Sequence, residues 1–113
     1  MRVLECAADE PALRNDRDAV DLIGKAFAHR AKLIVIPVEC LDDDFFRLRT
    51  RIAGELIQKF MNYRLRLAIV GDISRHLDES SALRAFVNES NRGKDVWFLA
   101  NLEELDKRLE RAV

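Results

Sequence analysis

Residues Leu33 to Pro37, LIVIP, are apolar without interruption. A strand lying against water alternates apolar and polar residues, so a short unbroken run rich in β-branched side chains predicts a strand covered on both faces, the habit of parallel sheets. Leu65 to Val70, broken only by Arg66, and Val96 to Ala100 repeat the pattern, and Gly71 with Asp72 closes the former as strand ends do in α/β units. Val3 to Ala7 is a shorter run of the same kind. Four buried strands with no hairpin signals between them need crossover connections, and the intervening segments must supply helices.

They do. After Pro11, Asp16 can cap a helix with Asp18 and Asp21 near the positive end of its dipole and Ala19, Val20, Ile23, Ala26 and Phe27 as its apolar stripe, ending near Arg30. His29 then meets the helix C-terminus favourably when charged. Phe45, Leu48, Ile52, Leu56 and Phe60, widened by Ala53, Ile57 and Met61, predict one long central helix that must bury a face, with Glu55 placed to support Lys59 on the outside. Gly54 within it costs about 1 kcal/mol relative to Ala, which predicts close approach of a neighbouring backbone as compensation. Asp78 or Ser80 caps a third helix carrying Leu83, Phe86 and Val87, with Asn91 and Gly93 expected to supply the left-handed residues that stop it. Asn101, with Glu104 three residues on, opens a last helix striped by Leu102, Leu105, Leu109 and Ala112. The expected architecture is a single α/β domain spanning 1–113, a four-stranded, mainly parallel sheet built from four β-α units.

Charge narrows the function classes. Nineteen basic against twenty acidic residues leave a net charge of −1, without the overall basic footprint of a nucleic-acid binder. No apolar run approaches the roughly 20 residues that span a membrane, and Met1 to Cys6 is too short for a signal-peptide core, so a cytoplasmic protein is expected. Cys6 and Cys40 form neither a CxxC pair nor zinc-ligand spacing and read as buried, reduced thiols.

The segment DFFRLRTRIAGELIQKFMNYRLRLAIVGD followed by FVNESNRG resembles the bacterial family known as domain of unknown function 4180. The run IAGELIQKFMNYR, the strand LAIVGD and the turn ESNRG carry the likeness, which extends over nearly the whole chain. It implies the α/β fold and a bacterial origin and assigns no catalytic residue. The order of elements is also similar to STAS domains, small β/α modules of anti-sigma factor antagonists and transporter tails, with a flavodoxin-like three-layer sandwich as the alternative arrangement. In those antagonists a Ser or Thr is phosphorylated where a strand hands over to a helix. Thr50 is the nearest positional counterpart, but the DSSG-like surroundings are absent.

Ligands of parallel α/β sheets gather outside the carboxyl ends of the strands, here Glu39 to Asp44, Asp72 to His76 and Asn101. Asp42, Asp43 and Asp44 beside Asp72 offer carboxylate oxygens of the kind Mg²⁺ takes, although no phosphate-cradling glycine loop accompanies them, and capping with solvation accounts for them equally. Arg47, Arg49 and Arg51 stand in the expected first turns of the central helix, where cations are disfavoured. Either ion pairing offsets them, Arg49 with Asp72 being the expected internal pair, or they hold an anion. Asp44, Arg47, Arg49, Thr50, Asp72 and Ser74 are therefore the candidate ligand-binding set. His76 has Ser74, Ser80 and Ser81 nearby in sequence but no nucleophile elbow, and reads as a surface loop residue.

At the opposite edge, Asn62 to Arg64 and Glu89 to Arg92 are turn chemistry or a partner surface. Phe46, Tyr63, Arg64, Asn91 and Arg92 form the candidate partner-binding set, and Phe45, Phe46, Met61, Tyr63 and Trp97 the candidate exposed contacts. The reading is a non-enzymatic regulatory or interaction module that binds a protein partner or a small anionic ligand and self-associates, with no catalytic residue, metal site or cofactor assigned and no nucleic-acid or membrane partner expected. The competing reading is a small metal-assisted hydrolase or phosphoryl-transfer enzyme at the Asp42–Asp44 and Asp72 edge.

Overall fold

A computed structural model describes residues 2–6, 13 and 15–112. Ala7, the expected end of the first strand, and Pro11 lie outside the described residues, as does the side chain of Ala112. The strands are β1 (Val3–Glu5), β2 (Leu33–Pro37), β3 (Arg66–Val70) and β4 (Val96–Leu99), all parallel and ordered β1-β2-β3-β4. The helices are α1 (Asp16–Ala28), α2 (Asp43–Phe46), α3 (Ile52–Asn62), α4 (Ser74–Glu79), α5 (Ser81–Arg92) and α6 (Leu102–Ala112). Strand order never reverses, so the sheet lacks the switch point of a flavodoxin-like arrangement and advances as one superhelical progression of β/α units.

Register explains why the strand runs carry no alternation. Ile34, Leu67 and Val96 form one row and Ile36, Ile69 and Phe98 the next, facing Ala19, Leu22, Ile23 and Ala26 of α1, Ala53, Leu56, Ile57 and Phe60 of α3, and Leu83 and Val87 of α5. The other face carries Leu33, Val35, Ala68, Trp97 and Leu99, closed by Leu105 and Leu109 of α6. The interior strands are thus apolar on both faces, Arg66 at the start of β3 being the one exception, because both sides are covered.

Local chemistry sets most boundaries. Asn15, rather than Asp16, caps α1, its side chain accepting the Asp18 N–H at 3.0 Å. Ser80 caps α5 by accepting the Leu83 N–H at 3.1 Å, as its position predicted. At α6 Asn101 accepts from Glu104 N at 2.9 Å while the Glu104 carboxylate reaches back to Ala100 N at 3.1 Å, a capping box shifted by one residue. Cys6 and Cys40 are both buried.

Several expectations change. The central helix is not continuous: α2 stops at Phe46, Leu48–Thr50 form a 3₁₀ turn, and Arg51 at φ 64° in the left-handed region precedes α3. The Thr50 hydroxyl competes here, lying 2.8 Å from both the Asp44 and Arg47 carbonyls, to either of which its single proton can be donated in place of the N–H a continuing helix would have supplied. Arg47, Arg49 and Arg51 are thereby spread over a bend instead of crowding one helix N-terminus. Gly54 has open space where a Cβ would be, so no neighbouring backbone approaches it. Gly93 (φ −87°) is not left-handed, and the left-handed residues after α1 and α3 are Arg30 and Arg64. In both cases a backbone N–H folds back over the turn, Ala31 to Ala26 at 2.8 Å and Leu65 to Phe60 at 3.0 Å, which fixes the reversal without glycine. Phe45, Phe46 and Trp97 are buried, leaving Met61 and Tyr63 as the exposed members of the expected contact surface.

Candidate functional site

α4, which the sequence reading passed over, decides the site. Gly71 ends β3 with φ 144°, and Asp72 accepts from both Ser74 N (2.9 Å) and Ser74 Oγ (2.6 Å). This turn starts α4, and the two hydrogen bonds hold the Asp72 carboxyl below its ordinary pKa of 3.8. Asp72 is satisfied by Ser74, and the expected Arg49–Asp72 ion pair does not form. α4 instead carries Arg75 and His76 back to α2, where Arg75 donates to Asp43 Oδ1 at 2.9 Å. The His76 ring stacks on Phe46 with centroids 4.4 Å apart and an interplanar angle of 16°, and Phe46 meets Phe45 edge-on at 5.2 Å.

Between these elements lies a cleft of about 460 Å³ lined by Asp43, Phe46, Arg47, Leu48, Arg49, Arg75, His76, Glu79, Ser80 and Ala82. Three guanidinium-bearing residues line it. Arg75 is tied to Asp43, and Arg47 pairs with Asp44 at 3.0 Å on an exposed surface where such a pair contributes little. Arg49 is exposed and has no hydrogen-bond or ion-pair partner among the described residues. The His76 imidazole is only 13% exposed, its Nε2 3.4 Å from Arg75 Nη2 and 3.6 Å from Asp43 Oδ1. Because a guanidinium can only donate, Nε2 is the acceptor in the Arg75 contact.

Of the candidate ligand-binding set, the structure brings Arg47 and Arg49 to the cleft. Asp44 and Thr50 brace the bend behind it, and Asp72 with Ser74 orients α4. Arg75, His76, Glu79 and Ser80 line the cleft from outside the candidate set: Glu79 drew no notice in the sequence, Arg75 entered only as part of the Asp72 to His76 edge, and His76, expected in a surface loop, sits in α4 with its ring largely covered. The signal for them in the sequence is the Asp72-x-Ser74 turn, which starts a helix six residues before the Ser80 cap. Ser80 Oγ is engaged by Leu83 N. Among the described residues no three His, Cys, Asp or Glu side chains gather as a cation site.

The candidate partner set is scattered. Phe46 belongs to the cleft wall. Asn91 binds β4 at its open edge, accepting from Phe98 N at 2.7 Å and donating to Phe98 O at 3.2 Å, while Arg108 donates to the Asn91 carbonyl at 2.6 Å. Arg92 faces Glu89 at 3.5 Å on the surface. Tyr63 is exposed, with its ring edge-on to Phe27 at 5.8 Å and Arg64 beside it. Trp97, one strand over, donates from Nε1 to Gly93 O at 2.9 Å and lies beneath Arg66 and Arg108, each guanidinium carbon 4.6 Å from the ring centroid.

No helix among the described residues is long and apolar enough to cross a membrane. No curated protein and no solved structure matches the sequence. A family model does, over residues 1–109, under the description Domain of unknown function (DUF4180). With that match covering all but the last four of the 113 residues, the chain belongs to the DUF4180 family.

Proposed function

We propose that the chain is a non-enzymatic regulatory or interaction module whose carboxyl-edge cleft binds a small anionic ligand. The observation that carries this reading is the placement of Arg47, Arg49 and Arg75 on one cleft, with Arg49 unpartnered among the described residues. Guanidinium groups match carboxylate and phosphate geometry, and a cleft of about 460 Å³ suits a metabolite-sized molecule. Three carboxylates at this edge already have partners, Asp43 with Arg75, Asp44 with Arg47 and Asp72 with Ser74, and Ser80 Oγ serves as a helix cap, which favours binding over turnover.

The test is thermal melting of the full chain with inorganic phosphate, sugar phosphates and dicarboxylates, followed by calorimetry on whatever raises the melting temperature, as a ligand specific for the native state must. Arg49→Met is expected to weaken binding by about 10- to 100-fold, the loss of one charged hydrogen bond, and to leave the unliganded melting temperature unchanged. A panel that leaves the melting temperature unmoved, or an Arg49→Met variant that binds as well as the parent, would refute the reading.

A further inference from the structure

We infer that the amino-terminal edge of the sheet, at the opposite end from the cleft, binds single-stranded nucleic acid through both its phosphates and its bases. A net charge of −1, which argued against such a partner, conceals a segregation of charge. No acidic residue occurs between Asp21 and Glu39 or between Glu55 and Asp72. The turn from α1 into β2 therefore carries His29, Arg30 and Lys32, and the turn from α3 into β3 carries Arg64 and Arg66, with no carboxylate in either. The two turns are neighbours because their strands are: Arg66 N donates to Lys32 O at 2.9 Å, and Lys32 N donates to Arg2 O at 2.9 Å, which adds Arg2 to the row. Asp95 and Glu89, the latter paired with Arg92, stand at the far end of this edge, beside β4.

Folding accounts for some of these cations. Arg2 donates to the His29 carbonyl at 3.5 Å, and Arg66 donates to the Lys94 carbonyl at 2.6 Å and covers Trp97. The side chains of Arg30, Lys32 and Arg64 are exposed and have no hydrogen-bond or ion-pair partner among the described residues. Arg30 and Arg64 also hold the left-handed positions that end α1 and α3, at φ 55° and 59°. Glycine suits that backbone better than any side chain does. The helix dipole favours a cation near the last carbonyls, but it does not call for one on the left-handed residue itself. Arginine at both positions is thus a loss to folding that contact with an anion explains.

The rings beside the row point to what kind of anion. Tyr63, next to Arg64, is 47% exposed and meets Phe27, 53% exposed, edge-on at 5.8 Å. Met61 in the same turn is less exposed at 38%, so the accessible apolar surface here is mainly aromatic, which favours bases over lipid chains. Guanidinium groups fork onto phosphate oxygens while exposed rings stack on bases. A duplex keeps its base faces stacked on one another, so the rings select a single strand.

Fluorescence anisotropy of the full chain with labelled DNA and RNA oligonucleotides of about 12 nucleotides, single-stranded and duplex, over a series of salt concentrations, tests this. Sedimentation with vesicles of mixed neutral and anionic lipid runs beside it. The expected result is tighter binding to single strands than to duplex, with affinity falling by about 2 to 3 decades per decade of salt, as three or four phosphate contacts require. Combining Arg30→Gly with Arg64→Gly should weaken binding about tenfold or more and lower that slope by about 1.4, while the melting temperature holds or rises because glycine fits both backbones. Tyr63→Ala should weaken binding about tenfold with the salt slope unchanged, since it removes a stack and no charge. Binding to vesicles but not to oligonucleotides would assign the edge to a membrane surface and overturn the proposal. Preference for the duplex, absence of binding at low salt, or a double glycine variant that binds as the parent does would overturn it too.

Discussion

Gly71→Ala should be among the more damaging single changes in the chain, and its cost can be worked from two separable terms. Gly71 holds φ at 144°, a region that L side chains rarely adopt, at a cost of about 1–3 kcal/mol. A Cβ there would also stand 2.6 Å from Val38 Cγ2 and 2.8 Å from Val38 Cβ. The second atom is part of a short, half-buried side chain packed on the core and cannot swing away, so overpacking adds about 1–3 kcal/mol. Together these remove about 2–6 kcal/mol from a domain whose whole stability is on the order of 5–15 kcal/mol. Urea unfolding followed by far-UV circular dichroism measures it, with an unchanged m-value certifying that stability alone has moved. Val38→Ala removes Cγ2 but leaves Cβ, so in that background Gly71→Ala should cost about 1 kcal/mol less, and not zero, because the backbone term survives. If Gly71→Ala costs under about 0.5 kcal/mol, or if its cost is the same with and without Val38, the account of this turn is wrong. The turn matters beyond stability because it leads directly into Asp72 and the helix that brings Arg75 and His76 to the cleft.

Asn91→Ala should destabilise by about 1–3 kcal/mol, since it strips both side-chain partners from Phe98 at the sheet edge, and amide exchange should show the loss concentrated in β4. Asn91→Asp should not rescue it, because a carboxylate oxygen would face the Phe98 carbonyl. For Asp72 the folded pKa lies below 3.8, so the carboxylate contributes stability that is fully present above that value and is lost as pH falls through the lower folded value. Asp72→Asn should therefore be less stable than the parent at neutral pH, with the gap between their melting temperatures closing as pH drops below 3.8. A gap that stays constant across that range would show that Ser74 does not set the carboxyl's affinity for protons.

What the sequence by itself determined is what short-range physics writes into neighbouring residues. The unalternated runs at Leu33–Pro37, Arg66–Val70 and Val96–Leu99 require cover on both faces, and Ser80 and Asn101 can satisfy helix N–H groups wherever the helices end up. The continuous helical spacing from Phe45 to Met61 was misleading for the same reason: periodicity records which side chains will be buried, and it does not record a hydroxyl at Thr50 competing for the backbone. Only the tertiary structure decided strand order, which depends on crossovers that the strand sequences do not encode, and only it decided the cleft. Asp43 meets Arg75 across 32 residues, and Phe46 meets His76 because β2 and β3 are adjacent and in register, which delivers α2 and α4 to the same end of the sheet. Arg47 and Arg49, two of the arginines that looked misplaced on one helix, line the cleft because the chain bends before α3, since the direction of a side chain depends on a backbone path fixed by packing.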